Sequence, residues 1–204
     1  MKIVGIDEAG RGPLAGPVTV GAFCADEKTS RWILKNIFNG KLRDSKKLSE
    51  KKREDIYKKL IGLKKEGKVD FAYAHISNKV IDKRGISEAI RIGIAKCLTK
   101  LDHTFRMEEG DPLPSIRLDG LLKAPKEYKN QKTIIRGDEK DVFIACASIV
   151  AKVKRDRLMC KLAKKYSKYG FDTHKGYGTT AHRQRILKFG ISSLHRISYC
   201  KNIK

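Results

Sequence analysis

Four carboxylates stand out by where they sit. Asp7 and Glu8 close an apolar run and lead at once into a glycine-rich loop, in IVGIDEAGRGPLAGPVTVGAF; Asp119 follows the short run of SIRLDG, and Asp138 that of KTIIRGD. Acids at the end of a buried strand must be solvated, paired or metal-bound. Brought together, four of them repel, and hard divalent cations neutralise such a cluster. Oxygen-only ligands favour Mg²⁺ or Mn²⁺ over zinc. Two such ions about 4 Å apart activate a water and stabilise the leaving oxygen of a phosphodiester. Adjacent strand residues point to opposite faces, so Asp7 and Glu8 share one site only where the backbone turns, and Gly10 and Gly12 offer that turn. Asp138 also has a plainer reading, because it stands just before a long helical pattern and, with Asp141 three residues on, resembles a helix cap.

The loop itself spells a dinucleotide fingerprint, Gly10-Arg11-Gly12-Pro13-Leu14-Ala15. That fingerprint needs a helix opening at the loop, with its N-terminus on the pyrophosphate. Here Pro13 and Pro17 forbid a helix and the chain runs on into the β-branched strand PVTVGAFCA. No strand ending in an acid follows some 20 residues on, only the turn CADEKTS, so a nucleotide-binding domain is disfavoured.

The charge points to a polyanion. Lys and Arg number 46 against 23 Asp and Glu, a net charge of +23, and residues 152–204 carry fifteen bases against only Asp156 and Asp172. Acids do not rise with bases, as they do in heat-adapted chains, so a nucleic-acid partner is the economical explanation. The mixed-sign block SEKKREDIYKKLIGLKKEGK reads as a solvated helix face. Five cysteines, odd in number and without a CxxC pair, argue against zinc and against a disulfide framework. The longest apolar stretch, VFIACASIVA, is far short of a membrane span, and a charge at Asp7 comes too early for a secretory signal, so a cytoplasmic protein is expected.

These residues need elements to hold them. KIVGID and PVTVGAFCA read as strands around the glycine loop, the start of an antiparallel meander. Ser49 caps a helix over 50–63 that Gly67 terminates, and KVDFAYAHI alternates as a strand. Residues 86–101 carry a helical apolar face, DHTFRMEEGDPLP is a polar connector, and SIRLDG and KTIIRGD are two short strands. A long helix over 139–166 is apolar as far as Val153 and basic afterwards, predicting a buried first half and an exposed second half; a last helix covers 180–188. The pattern is α/β with a mixed sheet in one domain, 1–204.

Taken together, GIDEAGRGPLAGPV, RDSKKLS, RLDG, RGDEK…ASIVAKVKRDR and HKGYGTTAH…GISSLHRISY resemble ribonuclease HII, the type 2 ribonuclease H family, in that family's order and over nearly the whole chain. The resemblance implies a ribonuclease H-like fold, a central five-stranded mixed sheet flanked by helices, with a small helical C-terminal extension over about 170–204 that contacts substrate. It implies an acidic quartet of Asp7, Glu8, Asp119 and Asp138 holding two Mg²⁺ or Mn²⁺ ions. It further implies hydrolysis of the phosphodiester 5′ of a ribonucleotide, in RNA–DNA hybrids and at single ribonucleotides in duplex DNA, leaving a 3′-hydroxyl and a 5′-phosphate, as the start of ribonucleotide removal from DNA. Gly10, Arg11 and Gly12 match the motif whose backbone reads the ribose 2′-hydroxyl, the atom that separates RNA from DNA. Tyr177 matches a tyrosine that stacks on the following sugar. Ser45, Lys46, Lys152 and Arg155 are expected to touch phosphates. His174, His182 and His195 lie outside the quartet and are read as structural. Leu118, Arg136 and Cys146 depart from common family residues without removing a ligand. A monomer is expected, without the C-terminal clamp-binding tail or extra N-terminal domain of some relatives.

Overall fold

The computed structural model describes residues 2–105 and 113–203. β1 (Ile3–Ala9) and β2 (Val18–Ala25) pair antiparallel, with Ile3 opposite Ala25 and Ala9 opposite Thr19. Two helices follow, α1 (Glu27–Asn36) capped by Asp26 and α2 (Glu50–Lys65) capped by Ser49. β3 (Asp70–Ile76) joins β2 antiparallel. After α3 (Asn78–Arg84) and α4 (Ile86–Phe105) come β4 (Ser115–Asp119), parallel to β1, and β5 (Gln131–Ile134), parallel to β4. The chain closes with α5 (Val142–Lys165), α6 (Phe171–His174), α7 (Thr180–Phe189) and α8 (Ile197–Cys200). The sheet order is β3-β2-β1-β4-β5, the expected five-stranded mixed sheet flanked by helices.

Strand alternation divides the sheet's side chains between two cores. Val4 and Ile6 join Val20, Ile90 and Ile94 beneath α4, whereas Ile3 and Phe23 face Phe143, Cys146 and Val150 of α5 and Ile33 of α1. Each fully buried large apolar side chain contributes roughly 1.5–3 kcal/mol. α5 lies unusually close to the sheet, because a Cβ on Gly5 would stand 2.1 Å from the Phe143 carbonyl carbon and one on Gly21 2.4 Å from Ala147 O. Those two glycines admit the helix backbone to the middle of the strands. A third cluster, with Ala15, Met159, Tyr169 and Phe171, ties the C-terminal helices to the glycine loop.

The structure corrects several sequence readings. CADEKTS is not a turn but the entry to α1, with Asp26 accepting from Thr29 N at 2.7 Å. α4 runs four residues past its expected end, so part of the supposed connector is helical, and residues 106–112 of that connector lie outside the described residues. The cap of α5 is Asp141, which accepts from Phe143 N and Ile144 N, and Asp138 sits upstream in a 3-10 turn. The second half of α5 is not wholly exposed: Arg155 and Met159 are 0 % accessible, because the C-terminal segment folds over them. No helix among the described residues is long and apolar enough to cross a membrane, and all five cysteines are free thiols.

Candidate active site

Asp7 lies one residue past the last β1–β4 pair, Ile6 with Leu118, and Asp119 stands one residue past it on β4. The parallel register therefore brings these two acids side by side. Asp7 shares its strand face with Ile3 and Gly5 and so turns toward α5, where it accepts a hydrogen bond from the Ser148 side chain. Glu8 points to the opposite face and pairs with Arg11 Nη1 at 3.0 Å. The turn expected to bring both acids round does not fall between them: β1 stays paired through Ala9, and the chain bends only at Gly10. Asp119 Oδ1 accepts from Gly137 N at 2.7 Å, which fixes the 3-10 turn carrying Asp138 against the end of β4. Arg136, just before that turn, is held at φ 56°, a left-handed strain of about 1–3 kcal/mol in a non-glycine residue.

The electrostatics of this cluster are distinctive. Burial holds the Asp7 carboxyl well above its ordinary pKa, and the charges of Glu8 and Asp119 push the same way, against hydrogen bonds from Ser148 and from Glu8 N. A buried carboxylate crowded by two others is relieved by a cation, and the donors are all oxygens, which suits a hard divalent ion. The donor chemistry therefore fits Mg²⁺ or Mn²⁺. Among the described residues no three His, Cys, Asp or Glu side chains are gathered into a metal-holding group, so the acids stand as neighbours around the strand ends and not as a closed cage.

The glycine loop is built from underneath by two buried arginines. Arg155 gives Nε to Pro17 O (2.9 Å), Nη2 to Ala15 O (3.3 Å) and Nη1 to Lys175 O (3.0 Å). Arg196 gives Nη2 to Gly10 O (2.6 Å), Nη1 to Arg11 O (2.8 Å) and Nε to Gly16 O (3.0 Å). Both are 0 % exposed, and burial pulls the Arg196 guanidinium down to about 10, still charged at neutral pH. The expected phosphate contact at Arg155 is thus corrected: its guanidinium is used up on carbonyls inside the protein. Gly10 is required by the fold, since it sits at φ 92° and a Cβ there would meet Arg155 Nε at 1.9 Å. Gly12 is different. It lies outside the left-handed region, is exposed, and a Cβ on it would meet nothing within 4 Å.

Tyr177 is half-buried, with Lys152 Nζ 5.9 Å and Arg155 Cζ 5.6 Å from its ring centre. Its loop joins the glycine loop through Gly176 O, which accepts from Leu14 N at 2.9 Å and Ala15 N at 3.3 Å. Lys152 is largely shielded and paired with Asp156 at 2.8 Å. Ser45 turns inward, its hydroxyl 2.8 Å from that of Ser148, so it belongs to the Asp7 side of the site and does not stand on the surface as a phosphate contact. The side chain of Lys46 lies outside the described residues.

The three histidines interlock behind the Tyr177 loop. Ser192 N–H donates to His195 Nδ1 (2.9 Å), which leaves His195 Nε2–H to donate to His182 Nε2 (3.1 Å), while His182 Nδ1–H donates to Tyr177 O (2.9 Å). His174 stacks on His182 at 4.2 Å and bonds Tyr169 O at 2.7 Å. Burial pushes His182 down to about 4. They are structural, as read from the sequence. Reading single motifs missed Ser148 and Arg196; the one signal for Arg196 was its place in LHRISY, and nothing linked it to residues 185 positions away.

Comparison with known proteins points to one family. The family model described as ribonuclease HII matches residues 4–202. A ribonuclease HII of Caldicellulosiruptor bescii is 42 % identical over 201 residues, covering 98 % of this chain and 87 % of that one. Among solved structures, the chain matches one from the PCNA:RNase HII complex of Archaeoglobus fulgidus with TM-score 0.71 at 24 % identity, over 98 % of this chain and 95 % of that one. It also matches Bst-RNase HIII in complex with Mn²⁺, with TM-score 0.68 at 18 % identity, over 97 % and 67 % of the two chains.

Proposed function

Because the chain belongs to the ribonuclease HII family and is a nuclease of the ribonuclease H kind, we propose that it cuts the phosphodiester 5′ of a ribonucleotide, in RNA–DNA hybrids and at single ribonucleotides in duplex DNA, leaving a 3′-hydroxyl and a 5′-phosphate. Such a cut begins the removal of ribonucleotides from DNA. The observation that carries this reading is Gly12, a glycine that the fold itself does not need. Its missing side chain leaves room on the exposed side of the loop for a sugar to meet the backbone.

Asp7, Glu8, Asp119 and Asp138 are the ligands we assign to two Mg²⁺ or Mn²⁺ ions. When bound, such ions supply activation of the attacking water and stabilisation of the leaving oxygen. Ser148, bonded to both Asp7 and Ser45, orients the Asp7 carboxylate. Gly10, Arg11 and Gly12 read the 2′-hydroxyl, Tyr177 packs on the next sugar, and Lys152 beside it, with Lys46, attracts the backbone phosphates. The C-terminal helices, rich in Lys and Arg, extend that basic face. We place the enzyme in the cytoplasm as a monomer.

The test uses three labelled duplexes, all-DNA, DNA with one ribonucleotide, and an RNA–DNA hybrid, each with Mg²⁺, with Mn²⁺ and with chelator. A cut 5′ of the lone ribonucleotide, absent with chelator and on all-DNA, supports the reading. Binding without cutting under either ion leaves a basic nucleic-acid binder in its place.

A further inference from the structure

Arg196 makes three hydrogen bonds to carbonyls on both flanks of the glycine loop, at 2.6, 2.8 and 3.0 Å. The Arg11 carbonyl is fixed a second time by Tyr199 Oη at 3.2 Å. No peptide bond of the described chain is cis. In a planar trans peptide the N–H points opposite to the C=O of the same unit. With the carbonyls of Gly10 and Arg11 drawn inward to Arg196, the N–H groups of Arg11 and Gly12 must point outward. Gly12 is exposed there, and a Cβ on it would meet nothing within 4 Å. Successive outward amides form a concavity that accepts an oxygen lone pair or an anion. The guanidinium beneath adds a full charge, since its hydrogen-bond partners are neutral carbonyls.

We propose that Arg196 is a positioning residue for ribonucleotide recognition: it touches no substrate, and it sets the amides of Arg11 and Gly12 as donors toward the sugar's 2′-oxygen. The assignment rests on the ribonucleotide reading given above. Its geometry is specific to arginine. A planar fork reaches three carbonyls spread over residues 10–16, whereas the single ammonium of lysine keeps the charge without spanning them. The segment carrying Arg196 is anchored independently, with Asn78 Nδ2 donating to Ser193 O at 3.0 Å and His195 O at 2.9 Å, and Asp82 accepting from Ile197 N and Ser198 N at 3.0 Å. Loosening the segment and loosening the loop are therefore separable.

The experiment measures binding in chelator, where no cutting occurs, to an all-DNA duplex and to the same duplex with one ribonucleotide, for wild type, Arg196→Lys and Asn78→Ala. Thermal unfolding of each variant gives its loss of stability, and hydrogen exchange over residues 10–17 gives the order of the loop. Arg196→Lys is expected to lower the preference for the ribonucleotide duplex at least tenfold, to leave the all-DNA Kd within twofold, and to speed exchange in the loop. Asn78→Ala, at a comparable drop in Tm, is expected to keep both the preference and the slow exchange. An unchanged preference in Arg196→Lys, or an equal loss in Asn78→Ala, overturns the assignment. A wild-type protein with no preference and no ribonucleotide cutting overturns the reading beneath it, and is recognised because it appears without any mutation.

Discussion

Gly12→Ala separates what the fold needs from what the substrate needs. At this position the backbone is outside the left-handed region and the new methyl group meets no atom within 4 Å. Alanine in a compatible conformation restricts the unfolded chain and stabilises by about 0.4–1 kcal/mol. For a domain of this size that is a rise in Tm of about 1–4 °C. On the proposed reading the same methyl group stands where the sugar meets the loop and displaces the reacting phosphodiester, and a shift of about 1 Å lowers rate roughly 100-fold. The variant is thus expected to be as stable as wild type or slightly more so, with kcat/KM on a single-ribonucleotide duplex down about two orders of magnitude. Gly10→Ala is the internal contrast: with φ 92° and a contact of 1.9 Å to Arg155 Nε, it should lose stability and activity together. Scanning calorimetry and initial-rate cleavage on the same preparations decide it. Full activity in Gly12→Ala would mean that no substrate atom approaches this backbone, and a fall in Tm of several degrees would mean that the loop is packed otherwise than described.

Asp7→Asn and Asp119→Asn should each abolish cutting while duplex binding persists, since ligand charge is needed for the ions and not for phosphate contacts; undiminished cutting removes that residue from the site. Asp7→Asn should also raise the Tm measured in chelator, because it removes a buried charge beside Glu8 and Asp119. Tyr177→Ala should weaken cutting at a lone ribonucleotide more than cutting of a long hybrid, and equal losses on both refute a sugar-packing role. His182 takes up no proton in the folded state until about pH 4, whereas an unfolded histidine does so near 6.5. Its stabilisation is therefore fully present above about 6.5 and drains away as pH falls, by about 2 kcal/mol at pH 5. Urea unfolding from pH 7 to 5 should show that slope, and His182→Gln should reduce it, leaving the part due to His75, which burial likewise pushes to about 4, and to His174 and His195, which burial also lowers; an unchanged slope refutes the assignment to His182.

Much of the sheet was legible because its strands alternate or run apolar between turn signals, as in KVDFAYAHI and PVTVGAFCA. α1 was not, because its acidic cap and short polar first turn look like a loop until Ile33 is seen to be buried. The side of the site facing α5 was hidden for another reason. Gly5 and Gly21 read as weak points in strands, and only the approach of Phe143 and Ala147 explains them. Asp7, Glu8, Asp119 and Asp138 could be proposed as ligands from their places at the ends of short runs. Ser148 could not, because a serine inside an apolar helix carries no local mark of the carboxylate it faces. Arg155 and Arg196 look like any surface base in a chain so rich in them; what distinguishes them is a set of carbonyls some 140 to 186 residues away in sequence.

That separation has a consequence for how the enzyme comes into being. The carbonyls of Gly10, Arg11 and Gly16 lie 180 to 186 residues before Arg196 and have no guanidinium of it to accept from until the chain reaches that residue. Closing so long a span is among the slowest steps open to a chain of this size. The loop therefore takes its final shape only once two parts of the chain far apart in sequence have met, and on the proposed reading the discrimination of ribose waits on that meeting.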